Sequence, residues 1–245
     1  MDATAERNRV ALVTGAAGPI GAACVARLEA DGFTAVSAWR ETPPPGDGPS
    51  VQFDVTDAEA VAAGVAEVEE RHGPIHTVVA NAGWAKLDLA LRADPEVFRA
   101  IIDANLTGAF LTAKAALGPM VRRREGRIVL MGSVAGFWGV PGVASYAASK
   151  AGLLGLARSL AREVGSRNIT VNVVAPGLLD NAVGRIDEQR PTSTVTSAWV
   201  EATPIRRSGT PAEVAAAVSF LASDRAGFVT GVVLPVDGGF SMGIG

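Results

Sequence analysis

Short apolar runs alternate with longer Ala-rich stretches along the whole chain. The short runs are rich in Val, Ile and Leu and are bounded by Gly, Asn, Asp or Pro, a pattern typical of buried strands. Seven strands are predicted in this way, at 10–13, 34–38, 51–53, 75–80, 127–131, 169–174 and 232–236. Strands that alternate with helices favour an α/β fold with a parallel sheet.

The predicted helices lie between these strands. They cover 22–30, a stretch ending near residue 72, a stretch containing 105–108, then 146–164 and 211–222. No repeat or compositional break divides the chain, so the pattern predicts a single domain over 1–245 with a doubly wound seven-stranded sheet. The composition becomes polar between about 181 and 207, and we interpret this segment as a lid over a substrate site.

A glycine-rich turn joins the first predicted strand to the first helix, from Thr14 to Gly21. Such a turn presents backbone N–H groups and the positive end of a helix to a pyrophosphate. Ligands of doubly wound sheets bind at the carboxyl ends of the strands, where this turn lies. Pro19 lacks an N–H and has a fixed φ, so we expect part of this phosphate cradle to be altered.

Ser133, Tyr146 and Lys150 form a candidate catalytic group. Tyr146 and Lys150 are four residues apart on a predicted helix and therefore share one face. A cation about 4 Å from a phenol is expected to lower its pKa by ~2–3 units, which favours a general acid. Ser133, at the end of a predicted strand, supplies a hydroxyl that holds a carbonyl oxygen. Taken alone, three residues at this spacing also occur by chance.

Composition excludes several other classes of function. The 245 residues carry a net charge of −3 with acids and bases interspersed, which does not favour nucleic acid or an anionic membrane as partner. Cys24 is the only cysteine, and His72 and His76 lack metal-type partners at ligand spacing, so we expect no metal site. The first residues show no targeting signal and no apolar run is long enough for a membrane span, so a cytoplasmic protein is expected.

The order of these motifs resembles the short-chain dehydrogenase/reductase family over essentially the whole chain. The matching motifs are Thr14-Gly15 to Gly21, Asp54-Val55, Asn81-Ala82-Gly83, Asn105, Ser133, Tyr146 with Lys150, and Pro176-Gly177. Within the family the chain is similar to the 3-oxoacyl-acyl-carrier-protein reductases of fatty-acid synthesis, including the mycobacterial long-chain type. The resemblance implies a Rossmann fold and an NAD(P)-dependent oxidoreductase that reduces a 3-oxoacyl thioester.

The resemblance also implies a role for each motif. Tyr146 would be the general acid, Ser133 would orient the substrate carbonyl, and Lys150 would lower the tyrosine pKa and bind the nicotinamide ribose. Asn105 would hold a water that links Lys150 to solvent, although the residue alone equally suits a helix kink. The implied cofactor-binding residues are Gly15, Gly18, Pro19, Ile20, Gly21, Trp39, Arg40, Asp54, Val55, Asn81, Ala82, Gly83, Tyr146, Lys150, Pro176, Gly177 and Leu179.

The residues after the second predicted strand favour NADPH over NADH. Trp39 stands where an NAD-binding member carries an acid for the ribose hydroxyls, and Arg40 follows it. A guanidinium suits a 2′-phosphate, and the missing carboxylate removes a repulsion against it. A solvated loop charge is the alternative interpretation of Arg40.

Three tryptophans indicate an apolar substrate pocket. Trp84 follows the Asn81 motif, Trp138 follows Ser133, and Trp199 lies in the predicted lid. An aromatic wall suits a long acyl chain and equally a planar polyketide intermediate, although each tryptophan alone is more typical of packing. The alternatives are therefore a ketoreductase of polyketide or other secondary metabolism and, prompted by Pro19, a non-catalytic relative that binds nucleotide.

The resemblance further implies two kinds of protein partner. Arg124 and Arg167 stand where the similar reductases carry basic residues that meet the acidic helix of acyl carrier protein. The alternatives are a solvated turn charge for Arg124 and, for Arg167, a cation facing a helix C-terminus. A homotetramer is also implied, with the helices that hold Asn105 and Tyr146 in one interface and the last strand in another.

Overall fold

The computed structural model describes residues 9–180 and 192–242 of the chain, with side chains left out for 192–196. The strands in this part of the chain are β1 (Val10–Thr14), β2 (Thr34–Trp39), β3 (Ser50–Gln52), β4 (Ile75–Ala80), β5 (Gly126–Met131), β6 (Ile169–Pro176) and β7 (Val233–Val236). They form one sheet in the order β3-β2-β1-β4-β5-β6-β7, and every pair is parallel. The predicted seven-stranded doubly wound sheet is confirmed.

Helices connect successive strands except β2 and β3, which are joined by a loop. The helices are α1 (Pro19–Ala30), α2 (Ala58–His72), α3 (Pro95–Ile102), α4 (Gly108–Arg123), α5 (Ala135–Trp138), α6 (Ala144–Val164), α7 (Thr192–Ala202) and α8 (Pro211–Ala222). A π-helical turn, Asp103–Thr107, joins α3 to α4. The short helix α5 was not predicted, because four residues are too few to show a helical period.

Both faces of the sheet are covered, which explains why its central strands are mostly apolar on both faces rather than only at alternate positions. Strands β4, β5 and β6 are buried along their whole length. Apolar residues of α2, α4 and α6 pack on one face, and those of α1 and α8 pack on the other. This two-sided packing leaves the carboxyl edge of the sheet as the place where loops gather.

Local sequence signals set the ends of two helices. Asp57 accepts hydrogen bonds from the N–H groups of Glu59 and Ala60 and so caps α2. Thr210 and Glu213 form a reciprocal capping box at the start of α8. Each arrangement satisfies backbone donors that the first helical turn leaves without a partner.

Only part of the segment interpreted as a lid is described. Residues 181–191 lie outside the described part of the chain, and α7 occupies most of the remainder. The closing function of this segment stays a prediction. Among the described helices, none combines the length and apolar character required to cross a membrane, and the described residues contain no cluster of His, Cys, Asp and Glu suited to a metal ion.

A charged cluster lies at the amino-terminal edge of the sheet, opposite the gathered loops. Arg9 contacts Asp224 at 3.0 Å and Glu125 at 3.2 Å, and Arg127 contacts Asp224 at 3.3 Å. His76 is 5% exposed, and its Nε2 lies 3.6 Å from Glu125. Burial, together with the charges of Arg9 and Arg127, lowers the pKa of His76 to about 3. The imidazole is therefore neutral in the folded protein at any pH near neutrality.

His76→Gln is expected to make the protein less sensitive to acid. Between about pH 6.5 and 3 the unfolded chain takes up a proton at His76 that the folded chain does not, so wild-type stability falls as pH falls through that window. From pH ~7.5 to ~5 this effect costs about 2 kcal/mol. Thermal unfolding of both proteins at the two pH values measures it. Equal losses of Tm in both would contradict a neutral His76.

Candidate active site

The glycine-rich turn after β1 is closely packed against its own helix and against the loop after β4. Gly15 has φ +65°, and a Cβ added there would lie 2.8 Å from the Ala82 Cα. A Cβ added to Gly21 would lie 2.3 Å from the Gly15 carbonyl oxygen. Only glycine fits at these two positions, because each approach is closer than real Cβ atoms allow.

The N-terminus of α1 opens from this turn. Gly18 is the N-cap in an extended conformation, Pro19 is the first helical residue, and the first intrahelical bond runs from the Ala22 N–H to the Gly18 carbonyl. The first turn therefore leaves Ile20 and Gly21 as backbone donors at the positive end of the helix. A proline is well suited to the first position because its φ matches a helix. The loss that Pro19 causes is confined to one N–H.

The loop after β4 is hydrogen-bonded to this turn. The Thr14 hydroxyl accepts from the N–H groups of Asn81 and Ala82 at 3.0 and 3.1 Å. The Asn81 amide donates to the carbonyls of Thr14 and Gly15 at 3.0 and 3.2 Å. Asn81 thus holds the turn in place through its side chain. Thr14 is 1% exposed and was not predicted as a site residue, although its place at the end of β1 pointed to such a role.

Arg40, after β2, is ion-paired rather than free in solvent. Its guanidinium contacts Glu41 at 2.6 Å and Asp54 at 3.5 Å. Burial acts to raise the pKa of Asp54, but hydrogen bonds from Thr56 and the charge of Arg40 outweigh it and lower that pKa. The indole Nε1 of Trp39 is buried and has no hydrogen-bond partner among the described residues. A phosphate at this position would compete with two carboxylates for Arg40.

Ser133, Tyr146 and Lys150 come together at the carboxyl end of β5. The Ser133 hydroxyl lies close enough to Tyr146 to affect the pKa of the phenol, and its Oγ accepts from the Ala135 N–H at 3.2 Å. The Lys150 ammonium lies 5.5 Å from the centre of the Tyr146 ring and donates to the Met131 carbonyl at 2.7 Å. A Cβ added to Gly136 would lie 2.9 Å from the Lys150 carbonyl carbon, so α5 is pressed against α6 beside the site. The predicted convergence of the three side chains is present in the structure.

The pKa values of this group differ from the sequence-based expectation. Burial raises the pKa of Tyr146, and the hydrogen bond with Ser133 opposes that effect without cancelling it. Burial lowers the pKa of Lys150 to about 8. The predicted lowering of the Tyr146 pKa is therefore wrong, because the desolvation of the buried phenol dominates.

Asn105 lies in the π-helical turn between α3 and α4. Its Oδ1 accepts from the Trp84 N–H at 2.9 Å, and its Nδ2 donates to the Trp84 carbonyl and to the Ser149 hydroxyl, both at 3.0 Å. Ser149 in turn donates to the Tyr146 carbonyl at 2.7 Å. Asn105 therefore connects the loop after β4 to the helix of Tyr146. Ser149 was missed in the sequence, where it is simply one small residue of an Ala-rich helix.

The remaining predicted cofactor residues flank this group. Val55 contacts Gly108 at the start of α4, and Gly83 lies against the Asn105 amide. Pro176 ends β6, and the Gly177 N–H donates to the Val236 carbonyl at 3.1 Å. Leu179 is 6% exposed and packs in the apolar cluster between α1 and α8, so its side chain faces the core rather than an open site.

Two of the three predicted tryptophans meet through a phenylalanine that was not predicted. The ring of Phe240 stacks on Trp199 with centroids 4.9 Å apart and planes 9° apart. It also packs against Trp138 at 5.3 Å in a tilted arrangement. Trp84 is 41% exposed, and its backbone is held by Asn105. The only feature of the sequence that could have identified Phe240 is its position directly after the Gly238-Gly239 pair, in the loop that follows the last strand.

Arg124 and Arg167 lie close together on the surface, in the segments that precede β5 and β6. The Arg124 guanidinium donates to the Ser166 carbonyl at 2.8 Å, and Ser166 adjoins Arg167 in a short 3₁₀ turn. Arg124 has φ 58°, at the left-handed end of α4. Both side chains belong to exposed residues, so the turn presents two positive charges to solvent.

Comparison with known protein families matches residues 15–241 to the family described as enoyl-(acyl carrier protein) reductase. The 3-oxoacyl-[acyl-carrier-protein] reductase MabA of Mycobacterium tuberculosis is 44% identical over 236 residues, which cover 96% of this chain and 94% of the relative. The 3-oxoacyl-[acyl-carrier-protein] reductase FabG of Escherichia coli is 38% identical over 249 residues, covering 96% of this chain and 98% of the relative. The FabG reductase of Vibrio cholerae is 40% identical over 245 residues with the same coverage.

Proposed function

Since this chain belongs to the short-chain dehydrogenase/reductase family and is an NAD(P)-dependent oxidoreductase, we propose that it reduces a 3-oxoacyl thioester to the 3-hydroxyacyl thioester with NADPH. The observation that carries the proposal is the convergence of Ser133, Tyr146 and the buried Lys150 ammonium, which lies 5.5 Å from the centre of the Tyr146 ring. Relatives that share most of the chain are named as 3-oxoacyl-carrier-protein reductases, which supports the choice of substrate.

The residues of the first half of the sheet fit a dinucleotide. Ile20 and Gly21 supply N–H donors at the start of α1, and a Cβ at Gly18 would meet its nearest neighbour only at 3.5 Å, so the backbone there is open to a phosphate. Arg40 would hold the 2′-phosphate, and Asp54, Val55 and the Asn81-Ala82-Gly83 loop would border the adenosine. When bound, NADPH supplies the hydride.

Tyr146 moves the proton in the proposed reaction. Its hydroxyl and the Ser133 hydroxyl both bind the 3-keto oxygen, which orients the carbonyl and stabilises the charge that develops on that oxygen. Tyr146 then donates its proton to the oxygen and becomes a phenolate. Because Lys150 has a pKa of about 8, it is mostly protonated at neutral pH and stabilises that phenolate.

Asn105 and Ser149 would position the helix of Tyr146. Their hydrogen bonds fix the first turn of α6 against the loop after β4, at 3.0 and 2.7 Å. Both Nδ2 protons of Asn105 are used by Trp84 and Ser149, while Oδ1 keeps one lone pair. The proposed water between Asn105 and Lys150 would occupy that remaining acceptor.

The aromatic contacts of Phe240 favour a second candidate function. A ketoreductase of polyketide or secondary metabolism would bind a planar, aromatic ketone against stacked rings, which suits the pair of Trp199 and Phe240. The intact Ser133, Tyr146 and Lys150 group would perform the same chemistry on that ketone. A relative that binds nucleotide without catalysis has the weakest support, because Pro19 removes only one donor.

Two partners are included in the proposal. Acyl carrier protein would dock at Arg124 and Arg167, which lie next to each other and are exposed. A homotetramer would bury large apolar side chains on two separate surfaces. These are Leu91, Phe98 and Phe110 near α3 and α4, and Phe228 and Val232 near β7.

Purified protein tests the function directly. NADPH and NADH are each supplied with acetoacetyl-coenzyme A, acetoacetyl-carrier protein and an aromatic bicyclic ketone, and loss of reduced nicotinamide is followed. Faster turnover of the carrier-linked thioester with NADPH supports the main proposal. Turnover of the bicyclic ketone alone favours the second candidate, and cofactor binding without any turnover would support the non-catalytic relative.

Arg40→Ala is expected to lower the preference for NADPH over NADH by about 10- to 100-fold in kcat/KM, the effect of removing one charge-assisted hydrogen bond. Glu41→Gln is the matched test in the opposite direction, because it frees Arg40 from one of its two carboxylates. We expect this variant to bind NADPH more tightly than the wild type. An unchanged cofactor preference in Arg40→Ala would show that the 2′-phosphate lies elsewhere.

A further inference from the structure

Three aromatic residues form a cluster on the half of the sheet edge away from the residues proposed for the adenosine and its phosphates. Trp138 follows β5, Trp199 follows β6 and Phe240 follows β7, which are neighbouring strands. The residues proposed for the adenosine and its phosphates follow β1, β2, β3 and β4 on the other half, whereas Tyr146, Lys150 and Gly177, which are also proposed for the cofactor, follow β5 and β6. Ser133 lies between the two halves, directly after β5. In this strand order the cluster lies on the side of Ser133 away from the adenosine residues, where we expect the rest of the substrate to extend.

Phe240 joins the two tryptophans. Its ring lies 4.9 Å from Trp199 and 5.3 Å from Trp138, whereas no direct ring contact joins the two tryptophans in the described part of the chain. Trp138 is 45% exposed although one side packs on Phe240, so part of its indole remains open. A surface of this kind is apolar, partly desolvated and accessible, which suits an alkyl or aromatic group of a ligand.

Hydrogen bonds hold Phe240 in this position. The Asp237 carboxylate accepts from the Gly239 N–H and the Ser241 N–H, each at 2.9 Å, and these two residues flank Phe240. The segment that follows α7 is hydrogen-bonded to the same turn, because the Ile205 N–H donates to the Gly238 carbonyl at 3.2 Å. These hydrogen bonds fix the backbone on both sides of Phe240, so the position of its ring does not depend on a ligand.

We infer that Phe240 is a specificity-determining residue, which joins Trp138 and Trp199 into one wall that contacts the acyl chain beyond the 3-keto group. This inference rests on the proposed function. It assigns Phe240 a positioning role, since the contact with the chain is made mainly by the open face of Trp138. Long 3-oxoacyl chains gain from the wall, and a four-carbon acetoacetyl group, which ends near the carbonyl, gains little.

The test compares acetoacetyl-coenzyme A with 3-oxododecanoyl-coenzyme A. In Phe240→Leu we expect kcat/KM for the long substrate to fall by about 10-fold through KM, with acetoacetyl turnover unchanged, because the stacking ring is lost. Phe240→Tyr keeps the ring and is expected to restore the wild-type ratio. Phe220→Leu is the matched control, because Phe220 is exposed on α8 and belongs neither to the aromatic cluster nor to a proposed interface. A ratio within about twofold of wild type in Phe240→Leu would overturn the inference.

A double-mutant cycle with Trp199 gives an independent measurement. If Phe240 and Trp199 act as one wall, Trp199→Leu and Phe240→Leu each remove the preference for the long chain, and the double variant loses no more than either. Additive losses would show two separate contacts and contradict a joined wall. This cycle remains informative when one variant is less stable, because each ratio is measured within a single protein.

Binding of dodecanoyl-coenzyme A, which carries no ketone, separates this inference from the proposed function. Calorimetry of wild type and Phe240→Leu measures its affinity without turnover. If the wild type reduced neither thioester and Phe240→Leu bound dodecanoyl-coenzyme A more weakly than the wild type, the proposed function would be contradicted and the aromatic wall supported. If the wild type reduced the thioesters and Phe240→Leu had the same affinity for dodecanoyl-coenzyme A and the same chain-length selectivity, the proposed function would be supported and the aromatic wall contradicted.

Discussion

Tyr146→Phe is expected to lower kcat by about 10³-fold, while NADPH still binds with nearly its wild-type affinity. In the proposed mechanism, the substitution removes the hydroxyl that donates the proton and one of the two groups that bind the keto oxygen. Ser133 would remain to orient the carbonyl, so KM for the substrate is expected to change far less than kcat. Steady-state rates with acetoacetyl-coenzyme A and fluorescence titration of NADPH measure the two effects separately. Turnover equal to that of the wild type would remove Tyr146 from the proposed mechanism.

The chain offers an unusually direct control for this prediction, because Tyr146 is its only tyrosine. Ultraviolet difference absorbance of the phenolate therefore reports a single group. Without cofactor we expect this group to titrate above the usual range of a tyrosine, since burial raises the pKa of Tyr146. The signal is expected to vanish in Tyr146→Phe. A phenolate that forms near neutral pH in the cofactor-free protein would contradict the structure.

Lys150→Met is expected to reduce kcat by about 10²-fold and to weaken NADPH binding as well. A charge 5.5 Å from the phenol ring stabilises a phenolate by roughly 3 kcal/mol at an effective dielectric of ~20, and methionine removes that charge while it keeps most of the buried stem. It also removes the donor to the Met131 carbonyl. The loss of cofactor affinity follows from the proposed contact with the nicotinamide ribose.

Lys150→Arg provides the comparison for this variant, since it keeps a positive charge in a different shape. We expect it to retain more activity than Lys150→Met, although the wider guanidinium does not fit the buried position well. Rates and NADPH dissociation constants of both variants distinguish the two roles. If Lys150→Met lost turnover and kept full NADPH affinity, the ribose contact would be ruled out and the electrostatic role would remain.

Features with a local or periodic origin were predictable from the sequence. Tyr146 and Lys150 share a helix face because they are four residues apart, and a spacing of that kind is visible in the chain itself. The strands β4 to β6 were predicted because a parallel sheet covered on both faces needs continuous apolar runs. The glycine requirement at Gly15 and Gly21 also follows from a tight turn between a strand and a helix.

Features that depend on long-range packing were not predictable. The contact between Phe240 and Trp199 joins residues that the chain order does not bring together, and no periodicity marks it. The direction of the Tyr146 pKa depends on how much solvent the surrounding elements exclude, which composition does not specify. His76 is similar, because its neutral state results from burial beside arginines of β5 and of the segment before β1.

The hydrogen bonds that hold the glycine-rich turn affect both the rate and the free energy of ligand binding. Thr14 and Asn81 already hold the turn through four hydrogen bonds, so a ligand does not have to order it. Fixing the backbone of a flexible loop costs about 1–2 kcal/mol of conformational entropy per residue, and that cost is met here when the protein folds. Association at this end of the site is therefore expected to be limited by diffusion and desolvation rather than by a loop rearrangement.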